Sequence, residues 1–474
     1  MKLNLIRFVV IVMVAVSFSS TEKVMAKNTI VPSAKNMMQQ EKGQYTLSYQ
    51  PQPETTERLE WFKEAKFGMF IHWGLYSNRG GIAPDGKPQK HRYTEWYQKA
   101  NRLSHAEYSK LAEEFNPVKF NAEEWVQIAR NAGMKYITIT TKHHDGFCLF
   151  DSAYTDYDVV DATPFKRDVL MELREACDKH GLKLCYYYSH CQDWEQYHAW
   201  NTPLWIYPEH KEEPVDHEKY LSGKALPQVA ELCNRYRPDG LWFDTPWFNK
   251  QTLDRPVSKR FSDLVRALRP DCLINSRVVH VSGPKPLHAD LFDYLSLRDQ
   301  GIPTNKLPLY AESPDSIHHS YGYDKRPNVK YRSAKILIER MIRTVAGNGN
   351  YLLNIGPTGE GEIPPQAQAE LAKIGKWLKV NGEAIYGTQA NPFGKVYGWG
   401  EITAKDNKLY LFPIRVNGDT IELASLETKV VKAFVLDGGQ KVKVETNEDK
   451  VRITLPKNDT ELPQVVILEC ENKQ

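Results

Sequence analysis

Ionisable residues recur directly after short apolar runs in this sequence. His72-Trp73-Gly74 follows Phe67-Ile71, and Lys142-His143-His144-Asp145 follows Tyr136-Thr141. Tyr188-Ser189-His190 ends Leu182-Tyr188, Asp244 closes Gly240-Phe243, and Asn275-Ser276-Arg277 ends the run from Cys272. Arg298-Asp299 comes after Leu291-Leu295, and Glu312 after Leu307-Tyr310. Any one of these reads as a loop residue; the series reads as one site. Asp244 is the sharpest, because a carboxylate ending Gly-Leu-Trp-Phe-Asp must be paired or used. Two carboxylates facing one sugar carbon can cleave a glycosidic bond, one attacking C1 while the other protonates the leaving oxygen and then activates water. Glu312 and Asp299 are the candidate partners of Asp244. His72, His143, His144 and Glu95 suit hydrogen bonds to sugar hydroxyls. Trp96, beside Glu95, and Trp242 and Trp247, flanking Asp244, offer flat faces on which a sugar ring stacks.

Other chemistries lack their signatures. There is no G-x-S-x-G elbow, no H-E-x-x-H, no phosphate loop and no EF-hand loop. His143 and His144 with His190 and Cys191 do not make a metal site, because adjacent strand residues face opposite ways and the ligand spacing is not met. Gly356-Pro357-Thr358-Gly359-Glu360-Gly361 lacks the following Lys-Ser/Thr and reads as a turn.

The apolar runs that carry these residues are β-rich and number eight, the last being Tyr351-Ile355. Helical patterns lie between most of them, over Asn121-Ala132, Arg167-His180, Ser258-Leu268 and Ala334-Ala346. Strands alternating with helices predict a parallel sheet, and eight predict a (β/α)8 barrel, with reactive groups at the C-terminal strand ends. The fifth, sixth and seventh runs are too close for full helices between them, so the barrel is expected to be distorted there. Beyond Gly382-Tyr386 the pattern changes to short runs bounded by turns: Leu409-Ile414, Thr420-Leu423, Val430-Leu436, Val451-Leu455 and Val465-Leu468. These predict an antiparallel β-sandwich. The organisation expected is a signal peptide over 1–26, a polar linker over 27–55, a catalytic barrel over 56–388 and a sandwich over 389–474.

Composition agrees with a globular protein: of 474 residues, 41% are hydrophobic and 26% charged. The net charge of +3 gives no general pull towards nucleic acid or anionic lipid. Lys2 and Arg7 precede an apolar run, Phe8-Phe18, too short to span a bilayer, and Val24-Met25-Ala26 fits a cleavage site. A cleaved secretory signal is therefore expected, with a periplasmic or secreted product and no membrane insertion. The first cysteine is Cys148, so no lipid-anchoring cysteine adjoins that site. The seven cysteines lack a CxxC and are expected to be buried free thiols.

Several segments together are similar to the glycoside hydrolase family 29 α-L-fucosidases. They are Trp61-Phe62-Lys63 to Gly68-Met69-Phe70-Ile71-His72-Trp73-Gly74, Lys142-His143-His144-Asp145-Gly146-Phe147, Tyr187-Tyr188-Ser189 with Asp193-Trp194, Leu241-Trp242-Phe243-Asp244, Tyr351-Leu352-Leu353-Asn354-Ile355-Gly356-Pro357 and Gly382-Glu383-Ala384-Ile385-Tyr386-Gly387. They occur in order over most of residues 57 to 390. The resemblance implies a distorted barrel with a C-terminal sandwich and a retaining exo-hydrolase, without cofactor or metal, acting on fucosylated oligosaccharides or glycoconjugates. By position it implies Asp244 as nucleophile and His72, Glu95, His143, His144, Tyr188 and Arg277 as sugar-binding groups. Tyr187 is the alternative to Tyr188, since neighbours on a strand face opposite ways. Glu312, before Ser320-Tyr321-Gly322-Tyr323, resembles the family's acid/base segment, although Ala311 and Tyr321 stand where the family has Trp. Asp299 lies where other members place the acid and is the second choice. The Trp-Val-Gly-Asn-Glu segment of the linkage-restricted subgroup is absent, which points to the broader subgroup. Removal of another α-L-sugar such as L-galactose, or binding without turnover, are the alternatives, because L-fucose and L-galactose differ by one hydroxyl.

Overall fold

A computed structural model describes residues 53–471, apart from Lys211, 249–250, 253–254, 281–287, Lys395, Ser425 and 448–449; of 53–56, 247–248 and 251–252 only the backbone is described. The expected leader and nearly all of the expected linker lie outside the described residues. Residues 53–55, expected in the linker, already belong to the first helix, α1 (Pro53–Ala65).

Eight strands run parallel: β1 (Phe67–Ile71), β2 (Tyr136–Lys142), β3 (Lys183–Ser189), β4 (Gly240–Asp244), β5 (Leu273–Ile274), β6 (Leu295–Ser296), β7 (Ala311–Ser316) and β8 (Gly349–Ile355). They are ordered β5-β4-β3-β2-β1-β8-β7-β6. A parallel bridge between Asn275 and Tyr294 joins the two edges, so the curled sheet closes into a barrel. The strands are buried on both faces, which is why they read as continuous apolar runs rather than alternating ones. Period two still sorts the side chains. Met69, Ile139, Tyr186, Phe243 and Leu353 face the helical shell, whereas Phe70, Cys185, Tyr187, Trp242 and Leu352 fill the barrel. Gly68 serves this interior: a β-carbon there would lie 2.4 Å from the Tyr136 ring, which crosses β1 to reach the centre.

The shell includes α2 (Ala122–Asn131), α3 (Val169–His180), α4 (Arg255–Leu268) and α5 (Ala334–Ala346). Asn121 caps α2 through the Glu124 amide, and Asp168 caps α3 through the Met171 amide. α6 (Pro365–Asn381) follows β8. Among the described residues the only helical segments between β5 and β7 are two 3-10 turns, Ser276–Val278 and Ala289–Leu291, which distorts the barrel as the spacing predicts. Two expected strands are corrected. Leu291 ends a turn and β6 is only Leu295–Ser296. Residues 307–310 are not strand; β7 starts at Ala311, because polar groups inside and outside the barrel hold a segment with little apolar character.

Seven antiparallel strands complete the described chain: β9 (Gly400–Lys405), β10 (Lys408–Pro413), β11 (Thr420–Ala424), β12 (Val430–Val435), β13 (Lys443–Asn447), β14 (Lys450–Thr454) and β15 (Val466–Cys470). They form sheets β9-β10-β15-β12 and β11-β14-β13. Ile402, Leu411 and Leu468 meet Ile421, Leu423 and Ile453 between the sheets. Tyr410, Phe412 and Ile467 on the opposite face join the barrel's own core, and Trp377 of α6 donates to the Pro463 carbonyl at 2.8 Å. All seven cysteines are free and buried.

Candidate active site

The site forms at the C-terminal ends of β1 to β6, where the barrel interior meets the loops. Its floor is aromatic. Trp242 stacks on Tyr187 with ring centroids 5.4 Å apart, and Phe70 packs against Trp242 at 5.2 Å. Asp244, two residues beyond Trp242 and so on the same face of β4, rises directly above this floor. Its Oδ2 accepts a 2.7 Å bond from the Tyr187 hydroxyl, and its Oδ1 a 2.8 Å bond from Arg277. Burial, the largest single effect, would raise this carboxyl, but the Arg277 charge together with the hydrogen bonds from Arg277 and Tyr187 and the neighbouring His144 hold it below the ordinary aspartate value.

Arg277, on the turn after β5, joins two acids. One terminal nitrogen binds Asp244, and the other binds Asp299 Oδ1 at 2.7 Å and the Leu297 carbonyl at 2.8 Å. The guanidinium lies 4.6 Å from the Trp242 ring centroid. The two carboxylates therefore sit on one cation, a few ångströms apart, and Asp299 is the open one, with 44% of its side chain exposed.

Three imidazoles line the opposite wall. Asn354 donates through Nδ2 to the Tyr321 carbonyl, so its Oδ1 accepts from His72 Nδ1 at 2.7 Å. Ser189 Oγ donates to the Gln192 carbonyl, so it accepts from His144 Nδ1 at 2.7 Å. Both rings thus carry the proton on Nδ1 and turn a bare Nε2 outward. His144 Nε2 lies 3.8 Å from Asp244 Oδ2, too far for a hydrogen bond. Burial lowers His72 to about 3 and His144 to about 4, and takes His143 well below its ordinary value, so all three are neutral near pH 7. His143 stacks on Tyr187 at 5.5 Å, and its buried Nδ1 has no partner among the described residues. Glu95 closes the rim. Burial raises it to about 7 against bonds to its Oε2 from Ser320 Oγ (2.9 Å) and the Gly322 amide (2.8 Å). Trp96 meets His144 edge-on at 5.2 Å, and Tyr321 packs against His72 at 4.9 Å.

The structure thus brings together Asp244, Asp299, Arg277, His72, His143, His144, Glu95, Trp96 and Trp242. Two expectations are corrected. Tyr188 faces the helical shell, with its hydroxyl on Gln228 Oε1 at 2.9 Å and Lys142 over its ring at 4.3 Å; the alternating pleat gives the pocket to Tyr187. Glu312 is not at a strand end. It is the second residue of β7, fully buried below the floor, where its oxygens accept from the Tyr136 hydroxyl (2.7 Å) and Trp242 Nε1 (2.8 Å). The Trp247 side chain lies outside the described residues, and His190 is a core histidine between Phe243 and Phe261. Asn354, Ser189 and Ser320, which orient His72, His144 and Glu95, went unread as site residues, although the first two stand within the segments that carry the family resemblance.

The chain is similar to known proteins over most of its length. A family model described as Alpha-L-fucosidase matches residues 34–383. Tissue alpha-L-fucosidase of Homo sapiens is 30% identical over 350 residues, covering 69% of each protein. Plasma alpha-L-fucosidase of Rattus norvegicus is 31% identical over 364 residues, covering 72% of this chain and 74% of the relative. The alpha-L-fucosidase structure from Vibrio sp. strain EJY3 superposes with a TM-score of 0.80 at 32% identity, covering 89% of this chain and 73% of that one. A GH29 alpha-L-fucosidase of Bacteroides thetaiotaomicron, solved as a trapped covalent intermediate in complex with 2-fluoro-fucosyl fluoride, superposes at 0.77 and 28% identity over 88% of this chain and 96% of that one. The chain belongs to the alpha-L-fucosidase family, GH29, and is a glycoside hydrolase.

Proposed function

We propose that this chain is an exo-acting, retaining α-L-fucosidase in which Asp244 is the nucleophile and Asp299 the acid/base. The observation that carries this reading is the single Arg277 guanidinium holding both carboxylates over an aromatic floor. Retention needs two carboxyl groups about 5–5.5 Å apart, and neighbouring nitrogens of one guanidinium hold two carboxylates at that order of spacing. The closed floor of Trp242, Tyr187 and Phe70 suits a terminal sugar entering a blind pocket. The neutral His72 and His144 each offer a bare Nε2 to a sugar hydroxyl, and a hydroxyl beside C1 fits the gap between His144 and Asp244.

Asp299, open to solvent, first takes up a proton; an Asp244 oxygen then attacks C1, the C1–O bond breaks, and the departing oxygen takes that proton from Asp299. The Asp244 charge is then lost into an ester, and Asp299 is left as the ionic partner of Arg277, a carboxylate ready to act as base. In the second step water gives its proton to Asp299 as its oxygen attacks C1, and the ester bond breaks to regenerate Asp244. The covalent intermediate trapped in the Bacteroides thetaiotaomicron relative supports this two-step course. Glu312 has no place in it, because Trp242 separates its carboxyl from the pocket. The apolar leader is taken as a secretory signal cleaved after Ala26, so an exported product beginning at Lys27 is expected on N-terminal sequencing.

Hydrolysis of 4-nitrophenyl α-L-fucoside, followed by proton NMR beside the α-L-galactoside, tests the reading. Release of α-L-fucose as the first-formed anomer is expected. First release of the β-anomer, or preference for the galactoside, would overturn the stereochemistry or the sugar assignment respectively.

A further inference from the structure

Around Glu95 lie cations that no acid among the described residues pairs with. Residues 90–102 hold Lys90, Arg92, Lys99 and Arg102 against one acid, Glu95, which is turned into the pocket. Lys99 is the most informative of them. It stands on the short helix Tyr97–Ala100, half-buried, with its ammonium 4.8 Å from the Trp96 ring centroid and 5.9 Å from that of Trp194. No carboxylate pairs with it among the described residues; burial lowers its proton affinity without an acid to restore it. Three other buried cations are matched, Lys142 by Asp193 at 2.6 Å, Lys224 by Asp193 and Glu195, and Arg174 by Asp239 at 2.9 Å, whereas Lys66, remote from the pocket at the start of β1, meets only the Tyr310 hydroxyl at 3.1 Å. Arg92 reaches only neutral acceptors, the His319 carbonyl and Gln300 Oε1, and Arg102 lies over Trp205.

Position makes this cation relevant to the substrate. Trp96 packs on His144, and His144 lies beside Asp244, so Lys99 stands one ring outward from the sugar that the nucleophile attacks. The floor is closed, so the leaving sugar projects outward past the open Asp299, whose charge reaches Tyr93 and Glu95 of the segment that carries Lys99. A half-desolvated ammonium without a counter-charge is a site that gains from an anion. We propose that Lys99 receives an anionic group, a carboxylate or a sulfate, on the sugar next to the fucose, and that the preferred substrates are acidic fucosylated glycans. This inference rests on the fucosidase reading.

The experiment compares three fucosyl disaccharides of one linkage whose second sugar is neutral, carries a carboxylate, or carries a sulfate. Wild type is expected to cleave one anionic member with kcat/KM about fivefold or more above the neutral one, the size of a single partly exposed ion pair. The gain is expected in KM and to vanish near 1 M salt, where charges are screened within about 3 Å. The preferred member identifies the anion. Lys99→Met is expected to bring the ratio close to one and Lys99→Arg to keep it, while Lys376→Met, on exposed α6 surface, leaves it as in wild type. Equal kcat/KM for all three in wild type, or a preference that survives Lys99→Met, would overturn the inference and leave the fucosidase reading standing. Release of fucose from none of the three, nor from the aryl fucoside, would overturn both.

Discussion

Replacing Glu312 with Gln separates a buried scaffold group from an acid/base. Burial raises the Glu312 carboxyl from 4.5 to about 7, so the folded protein holds it neutral through most of the acidic range. At 1.36 kcal/mol per pH unit, ionising it in place costs about 3 kcal/mol. The folded state binds this proton more tightly than the unfolded chain does, so the associated stability is full below about pH 4.5 and is lost as pH rises through about 7. Glutamine is the neutral isostere: its oxygen can accept from Trp242 Nε1 and its amino group can donate to the Tyr136 oxygen, two of the partners of Glu312, which also include Tyr294. Glu312→Gln should therefore melt close to wild type at pH 5 and a few degrees higher at pH 8. Removing a general acid or base costs typically 10²- to 10⁴-fold. The variant should instead lose less than about tenfold in kcat/KM on a fucosyl disaccharide, with no rescue by azide. A loss of a hundredfold or more on the disaccharide, with activity on aryl fucosides kept and azide rescue, would return the acid/base role to Glu312 and refute this placement.

Other outcomes follow from the same geometry. Asp299→Ala should lose about a hundredfold or more on natural aglycones, far less on good leaving groups, and recover with azide; full-rate hydrolysis of a disaccharide would remove its role. Tyr187→Phe deletes a bond to the nucleophile and should cost kcat roughly tenfold, whereas Tyr188→Phe should leave kinetics near wild type and lower stability by about 1 kcal/mol; the reverse pattern would mean the strand faces are misread. Asp244 is held below its ordinary value mainly by Arg277, so its ionised form persists to low pH. Arg277→Gln should move the acid limb of kcat/KM upward, and an unmoved limb would show that another charge sets it.

Much of this architecture was legible because the chemistry repeats with the strands. β1, β2, β3 and β4 are buried on both faces, and each runs into its functional group, so the period and the site announce each other. β7 was not legible. Ala311-Glu312-Ser313-Pro314-Asp315-Ser316 contains no large apolar residue, because Glu312 faces buried donors inside and Asp315 faces Arg332, Arg340 and Tyr351 outside. The apolar run just before it, Leu307-Tyr310, took its place, and Glu312 was thereby moved from the strand's buried start to an imagined end. The ambiguity between Tyr187 and Tyr188 was of another kind: the pleat requires one inside and one outside, and only the register with Trp242 decides which. α6 was readable in principle from Leu371, Ile374 and Leu378 at helical spacing. The outer strands β9 and β13 carry too few apolar residues to stand out, and β13 is largely exposed.

The central claim is that Asp244 forms a covalent bond to the sugar. Incubation with 2-fluoro-fucosyl fluoride, followed by proteolysis and mass spectrometry, tests it directly. The account predicts time-dependent inactivation with one equivalent of fluorofucose on the peptide containing Gly240-Leu241-Trp242-Phe243-Asp244, and no label on Asp244→Ala. A label on any other carboxylate, or turnover of the reagent without a covalent adduct, would contradict it.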